Sequence, residues 1–189
     1  EEIQALKKIL MFSPEDIELR SALSTAYFNS ENYDEALNHA LCVIELDEKD
    51  PQAYCNLGSC YSAQNMTDQA IEAFQKATEI DPDYSLPHTN LGSLYATIGR
   101  IEKAIKEFKL ATSMNQSDSL AWMNLYSCYK EIGRMEDAQE AFRKYENLMN
   151  QGPQEENQTN IPGGVSSTGQ LASGGNLDTA SPGMEELTS

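Results

Sequence analysis

The chain has 189 residues and a formal net charge of −17, with 13 Lys and Arg against 30 Asp and Glu. That balance argues against a nucleic-acid partner, which needs clustered cations on its binding face, and against adsorption to an anionic membrane. No apolar run approaches bilayer-spanning length, so membrane insertion is not expected either.

Glu1 to Phe12 places Ile3, Leu6, Ile9 and Leu10 at helical spacing. Ser13-Pro14 stops this helix, because the residue before proline is pushed out of the helical region. Pro14 stands two periods upstream of Pro82 in the repeat that follows, so residues 1–16 read as the second helix of a preceding partial repeat or as an N-terminal cap. The chain opens at Glu1 without Met, and a fragment or processed product is expected.

From Ile17 onward a 34-residue period runs through the sequence. Leu23, Leu57, Leu91 and Leu125 share one phase; Tyr27, Tyr61, Tyr95 and Tyr129 share a second; Ala36, Ala70, Ala104 and Ala138 share a third. Tyr54, Leu57, Gly58, Tyr61, Ala70, Phe74 and Ala77 return as His88, Leu91, Gly92, Tyr95, Ala104, Phe108 and Ala111. Chance does not hold three positions in phase over four turns of a fixed period.

These residues resemble the tetratricopeptide repeat, whose pattern is Trp-x2-Leu-Gly-x2-Tyr followed by Ala, Phe, Ala and Pro. The resemblance covers Ile17 to Gly152 and divides it into repeats at 17–50, 51–84, 85–118 and 119–152. It implies an all-α fold, a right-handed superhelical solenoid of antiparallel helix pairs with a concave inner surface. In repeats two and three the helices of a pair meet at a short turn near Asn65 or Gly99, residue types that tolerate the left-handed conformation closing a helix. Gly133 serves in repeat four, whereas repeat one offers Glu31-Asn32. Gly58 and Gly92 lie inside first helices, where glycine costs about 1 kcal/mol relative to alanine, and imply close helix approach. Repeat one is the poorest match, with Arg20, Ser24 and Ala40 replacing an aromatic, the glycine and a large aromatic. Repeat four departs too: Tyr126 replaces the glycine, Tyr145 a small residue, and Asn150 the closing proline.

Residues 153–189 change composition. They are rich in Gly, Ser, Asn, Gln and Thr, contain no Lys or Arg, and carry Glu155, Glu156, Asp178, Glu185 and Glu186. Such a segment buries too little apolar surface to offset its ordering entropy, and a disordered acidic tail is expected. Ser181-Pro182 there reads more as solvated linker than as phosphosite.

In the family the first helix of each repeat lines the groove. By that correspondence repeat two supplies Cys55, Asn56 and Ser59, repeat three Thr89, Asn90 and Ser93, and repeat four Met123, Asn124 and Ser127. Asn56, Asn90 and Asn124 recur one period apart. A side-chain amide both donates and accepts, so it can engage a peptide backbone's C=O and N–H together. This resembles the asparagine ladder by which some members hold extended peptides, although Asn is also simply common in the family at that position. The chaperone-tail clamp of other members needs Lys and Arg, and the matching positions hold Ser21, Thr25 and Asn90.

No nucleophile has a His and an acid at a recognised spacing, and no Gly-rich phosphate loop precedes a helix. Glu155-Glu156 falls in the tail, and Asp34-Glu35 opens a helix where acids complement the dipole. His39 and His88 read as packing or surface residues. No catalytic residue, metal site or cofactor is assigned. Cys42, Cys55, Cys60 and Cys128 form no Cys-x-x-Cys pair and read as buried free thiols. Free thiols favour a reducing compartment, the cytoplasm or nucleus. The Asn-x-Ser/Thr triplets at Asn65, Asn115 and Asn157 are therefore read as accidental.

The resulting expectation is an interaction module that takes another protein, or a peptide segment of one, in its concave groove. Two alternatives stand beside it. One is a scaffold that forms a homo-oligomer through its C-terminal repeat, using Tyr145, Leu148 and Met149; the other is the targeting domain of a larger enzyme.

Overall fold

The computed structural model describes residues 1–150. Its helices are α1 (Glu2–Leu10), α2 (Ile17–Asn29), α3 (Tyr33–Leu46), α4 (Pro51–Ala63), α5 (Thr67–Ile80), α6 (Ser85–Thr97), α7 (Ile101–Met114), α8 (Ser119–Glu131) and α9 (Met135–Asn150). No strand occurs among the described residues. The tail expected to be disordered lies outside them.

Local chemistry sets the boundaries. Asp16, Asp50 and Asp118 hold the same phase of the repeat, and each turns a carboxylate oxygen back onto the opening amides of a first helix. Asp16 accepts from the Leu19 amide, Asp50 from those of Gln52 and Ala53, and Asp118 from that of Ala121. Each satisfies donors that a helix start otherwise leaves unmade. Pro51, at the first position of α4, loses nothing by lacking an amide hydrogen there. The turn between the two helices of each repeat passes through one left-handed residue: Glu31 (φ 62°), Asn65 (61°), Gly99 (73°) and Gly133 (76°). Three of the four suit that conformation. Glu31 holds it against the steric preference of an L residue with a long side chain.

Within repeats two and three the two helices meet where Gly58 faces Phe74 and Gly92 faces Phe108. A Cβ at Gly58 would stand 2.7 Å from Phe74 Cδ1, and one at Gly92 would stand 2.7 Å from Phe108 Cδ1. Both rings are fully buried, so neither can move aside. Repeat one resolves the same crossing with a small pair: Ala40 replaces the phenylalanine, and Ser24 donates a 2.8 Å hydrogen bond to the Ala36 carbonyl. Repeat four puts Tyr126 in the glycine position. Phe142 lies tilted against it, ring centroids 5.0 Å apart, and is only half-buried.

Repeats then stack through the main core, which runs from Cys55 to Ala141 and includes Phe74, Leu91, Tyr95, Phe108, Leu125 and Tyr129. At the N-terminal end α1 lays Ile3, Leu6 and Leu10 over Leu23 and Tyr27. It thereby covers α2 as α3, α5 and α7 cover α4, α6 and α8. No helix among the described residues is long and apolar enough to cross a membrane.

Two stability changes follow. Gly58→Ala lowers stability by about 2 kcal/mol through overpacking, although helix propensity alone gives a gain of about 1 kcal/mol. Urea unfolding of the variant reads the sign directly, and a midpoint at or above wild type contradicts the close-approach account. Glu31→Gly raises stability by about 1 kcal/mol by removing the left-handed penalty; an unchanged midpoint in the same titration rejects that strain.

Candidate functional site

The first helices touch one another in sequence, α2 on α4, α4 on α6 and α6 on α8, whereas no second helix among the described residues touches another second helix. The stack therefore closes on the first-helix side, and that side is concave. No Lys, Arg, Asp or Glu occurs in α4 or α6, so the middle of this inner face carries no formal charge.

Asn56, Asn90 and Asn124 are all half-buried on this face. Asn124 Nδ2 reaches back to Ser93 Oγ at 3.4 Å, and Asn90 Nδ2 reaches back to Cys55 Sγ at 3.9 Å. Both contacts are long, and a thiol is a weak acceptor. Asn56 Nδ2 is shielded from solvent and has no hydrogen-bond partner. Such a donor costs free energy until something accepts from it. The amide lines a cavity of about 60 Å³ together with Ser24, Thr25, Phe28 and Ser59.

The serines expected beside the asparagines donate within their own helices. Ser59 donates to the Cys55 carbonyl at 2.9 Å, Ser93 to that of Thr89 at 3.0 Å, and Ser127 to that of Met123 at 3.1 Å. Their oxygens keep lone pairs for an incoming donor. Met123 is half-buried.

Cys55 and Thr89 correct the sequence reading. Each is only 1% exposed, because in α4 and α6 the fifth position of the first helix turns in against its neighbours and does not line the groove. Thr89 Oγ1 donates to Asp118 Oδ2 at 2.7 Å, which ties repeat three to the carboxylate capping α8. Burial pushes the Cys55 thiol up to about 11, against the opposing effect of hydrogen bonds from Tyr84 and Asn90. Burial likewise pushes Cys60 up to about 11 and raises Cys128, which disfavours the thiolate at all three. All four cysteines are free.

Phe28, which the sequence reading did not single out, is the principal addition. Its half-buried ring joins Phe74 and Leu94 around a cavity of about 280 Å³, rimmed by Ser59, Ser62, Asn90, Ser93 and Thr97. The signal was present in the repeat phase: Phe28 occupies the register of Ser62, Ala96 and Lys130, the one large apolar residue in that series.

The two histidines pack. His88 Nδ1 lies 2.8 Å from Glu107 Oε2. His39 stacks on Tyr27 at 5.6 Å, and burial, with Arg20 nearby, lowers its pKa.

The residues expected to form an end interface divide. Tyr145 lies over Phe142, ring centroids 6.1 Å apart. Leu148 turns instead into a hollow of about 690 Å³ on the outer side, shared with Trp122, Tyr129 and Lys109. Met149 is exposed.

Two family models described as tetratricopeptide repeat match the chain, over residues 51–84 and 73–106. The second window starts within α5 and so spans the joint between repeats two and three. No curated protein sequence matches. Among solved structures, a crystal structure of MamA superposes with a TM-score of 0.68 at 25% identity, covering 79% of this chain and 87% of that one. The thermophilic TPR protein TTC0263 of Thermus thermophilus gives 0.69 at 20% identity, covering 81% and 82%. A chain of the APC/C hetero-tetramer Cut9–Hcn1 gives 0.70 at 20% identity, covering 78% of this chain and 28% of its own length. At 20% identity the likeness carries the fold.

Proposed function

We propose that this chain, a member of the tetratricopeptide-repeat family, holds an extended peptide or an unfolded partner segment along its inner face through Asn56, Asn90 and Asn124. The fold serves protein–protein interaction in general; the asparagine ladder is the specific claim. Its main support is the shielded, unpartnered Nδ2 of Asn56. A donor left without an acceptor lowers stability, and a peptide carbonyl arriving from the groove would relieve that cost. Asn90 and Asn124 make only long contacts, so exchanging them for a backbone carbonyl loses little. Ser59, Ser93 and Ser127 offer acceptor oxygens to the same backbone's N–H groups. Contacts of this kind read main chain and leave side-chain choice to the surroundings.

The test is the triple substitution Asn56/Asn90/Asn124→Ala, used in pull-downs followed by titration of the captured segment. At about 1 kcal/mol per amide contact, affinity falls by roughly a hundredfold. Circular dichroism finds the triple variant folded and melting no lower than wild type, since the substitution removes an unsatisfied donor. Undiminished affinity in a folded variant rejects the ladder.

A second reading rests on Phe142. Its counterparts Phe74 and Phe108 are fully buried, whereas Phe142, with Tyr126 and Tyr145 around it, stays half-buried because no described helix follows α9. An apolar end of this kind fits a second copy of the chain. Light scattering at micromolar concentration then gives a mass above the monomer, reduced to monomer by Tyr145→Lys; a monomer throughout removes this reading.

A further inference from the structure

Three concavities on the inner face run into one another. A hollow of about 470 Å³ against α2 is lined by Glu2, Glu18, Thr25 and Asp50 among others. It shares Thr25 with the small cavity at Asn56, and that cavity shares Phe28 and Ser59 with the larger one beside Phe74 and Leu94. The trough is thus a row of adjacent hollows of different character. One end is acidic, the middle holds the unpartnered amide, and the far end is a hollow of mixed lining in which Phe28 is the most exposed large apolar side chain. No Lys or Arg lines any part of it.

The surrounding field has the same sense. Residues 1–50 carry twelve carboxylates and only Lys7, Lys8, Arg20 and Lys49, whereas residues 100–150 carry eight acids and eight bases. The negative charge of the described residues therefore concentrates at the end where the trough is acidic. A groove with one sign of charge at its mouth raises the local concentration of oppositely charged ligands.

Resting on the groove reading above, we infer that the occupant is a cationic segment of another protein, with one apolar side chain laid against the half-buried Phe28 ring in the hollow and a Lys or Arg directed to Glu18 and Asp50. The hollow holds a side chain of leucine to phenylalanine size. Asp50 already uses Oδ1 to cap α4, which leaves Oδ2 for the cation. Glu18 and Phe28 are ten positions apart on α2, roughly 15 Å at the helical rise. An extended chain crosses that in about four to five residues. The sequence read by this surface is therefore an apolar residue with a basic residue about four or five positions away, joined by main chain passing Asn56.

The test uses the full chain and fluorescein-labelled peptides on a Gly/Ser background, followed by fluorescence anisotropy. The lead peptide carries one Leu and, about four residues away, a pair of Lys; one control replaces Lys by Glu, and another replaces Leu by Ala. The lead peptide binds, and each control binds about tenfold more weakly or not at all. Raising salt weakens the lead peptide severalfold, because the charge contacts lie at an exposed rim. Glu18→Lys reverses the preference between the Lys and Glu peptides. Phe28 also packs on the α1 cluster, so the hollow is blocked instead by Ala63→Trp at an exposed lining position, which abolishes the contribution of Leu while leaving the melting temperature unchanged. Equal binding of Lys and Glu peptides, sensitive to the asparagine substitutions, overturns this inference and leaves the groove reading standing. Binding that follows charge and Leu but survives those substitutions supports this inference and removes the ladder. No binding of any peptide overturns the inference.

Discussion

The closeness of the two helices within a repeat governs the rest of the structure. Where Gly58 and Gly92 leave no side chain, Phe74 and Phe108 fill the space to contact distance, and the rings become the pivot on which the next repeat packs. Tight packing of this kind tolerates little change of volume. It also explains why departures from the motif come in pairs. Ser24 accompanies Ala40 in repeat one, so small meets small. Tyr126 accompanies a half-buried Phe142 in repeat four, so large meets large where less is stacked above. Each crossing is solved locally, and the solution fixes how the following first helix is presented to the inner face.

Much of this was legible in the sequence because a repeat fold is built from nearest-neighbour contacts. Leu23, Tyr27 and Ala36, with their counterparts one period on, marked the core face without knowledge of distant residues. The close approach at Gly58 and Gly92 followed from glycine's poor helix propensity, which needs a packing reason. The site was less legible, for physical reasons. Repeat phase says which helix face a residue occupies, but whether the fifth position faces solvent depends on the separation of adjacent first helices. That separation closes over Cys55 and Thr89. Phase alone also treats Phe28 as one more groove position, whereas its hollow exists only because Phe74 and Leu94 from other repeats converge on it. Tyr145 and Leu148 illustrate the same limit. They are three residues apart on α9, yet one joins an aromatic cluster and the other turns into the outer hollow.

Packing and the proposed recognition draw on different parts of the same helices. The face of α4 turned inward holds Leu57, Gly58 and Cys60, all buried, and sets the register of the stack. The opposite edge presents Asn56 and Ser59, whose side chains add little to that register. Charge is separated in the same way. The carboxylates of Asp16, Asp50 and Asp118 act first as helix caps, which explains acidic residues at regular intervals in structural terms, and only Asp50 among them also borders the trough. A surface can thus vary its ligand preference at a few exposed positions while its scaffold is held constant.

The missing contact between successive second helices has a mechanical consequence. Adjacent repeats are joined by each second helix packing on the first helix that follows it and by first helices that touch, while the outer helices stand apart from one another. A joint of that form resists compression on its closed side and yields on its open one, as the spine of a book does. Bending the stack widens or narrows the outer clefts with small sliding motions and without breaking the Gly–Phe crossings inside any repeat. A change of curvature is shared over several joints, with each helix pair moving as a rigid leaf.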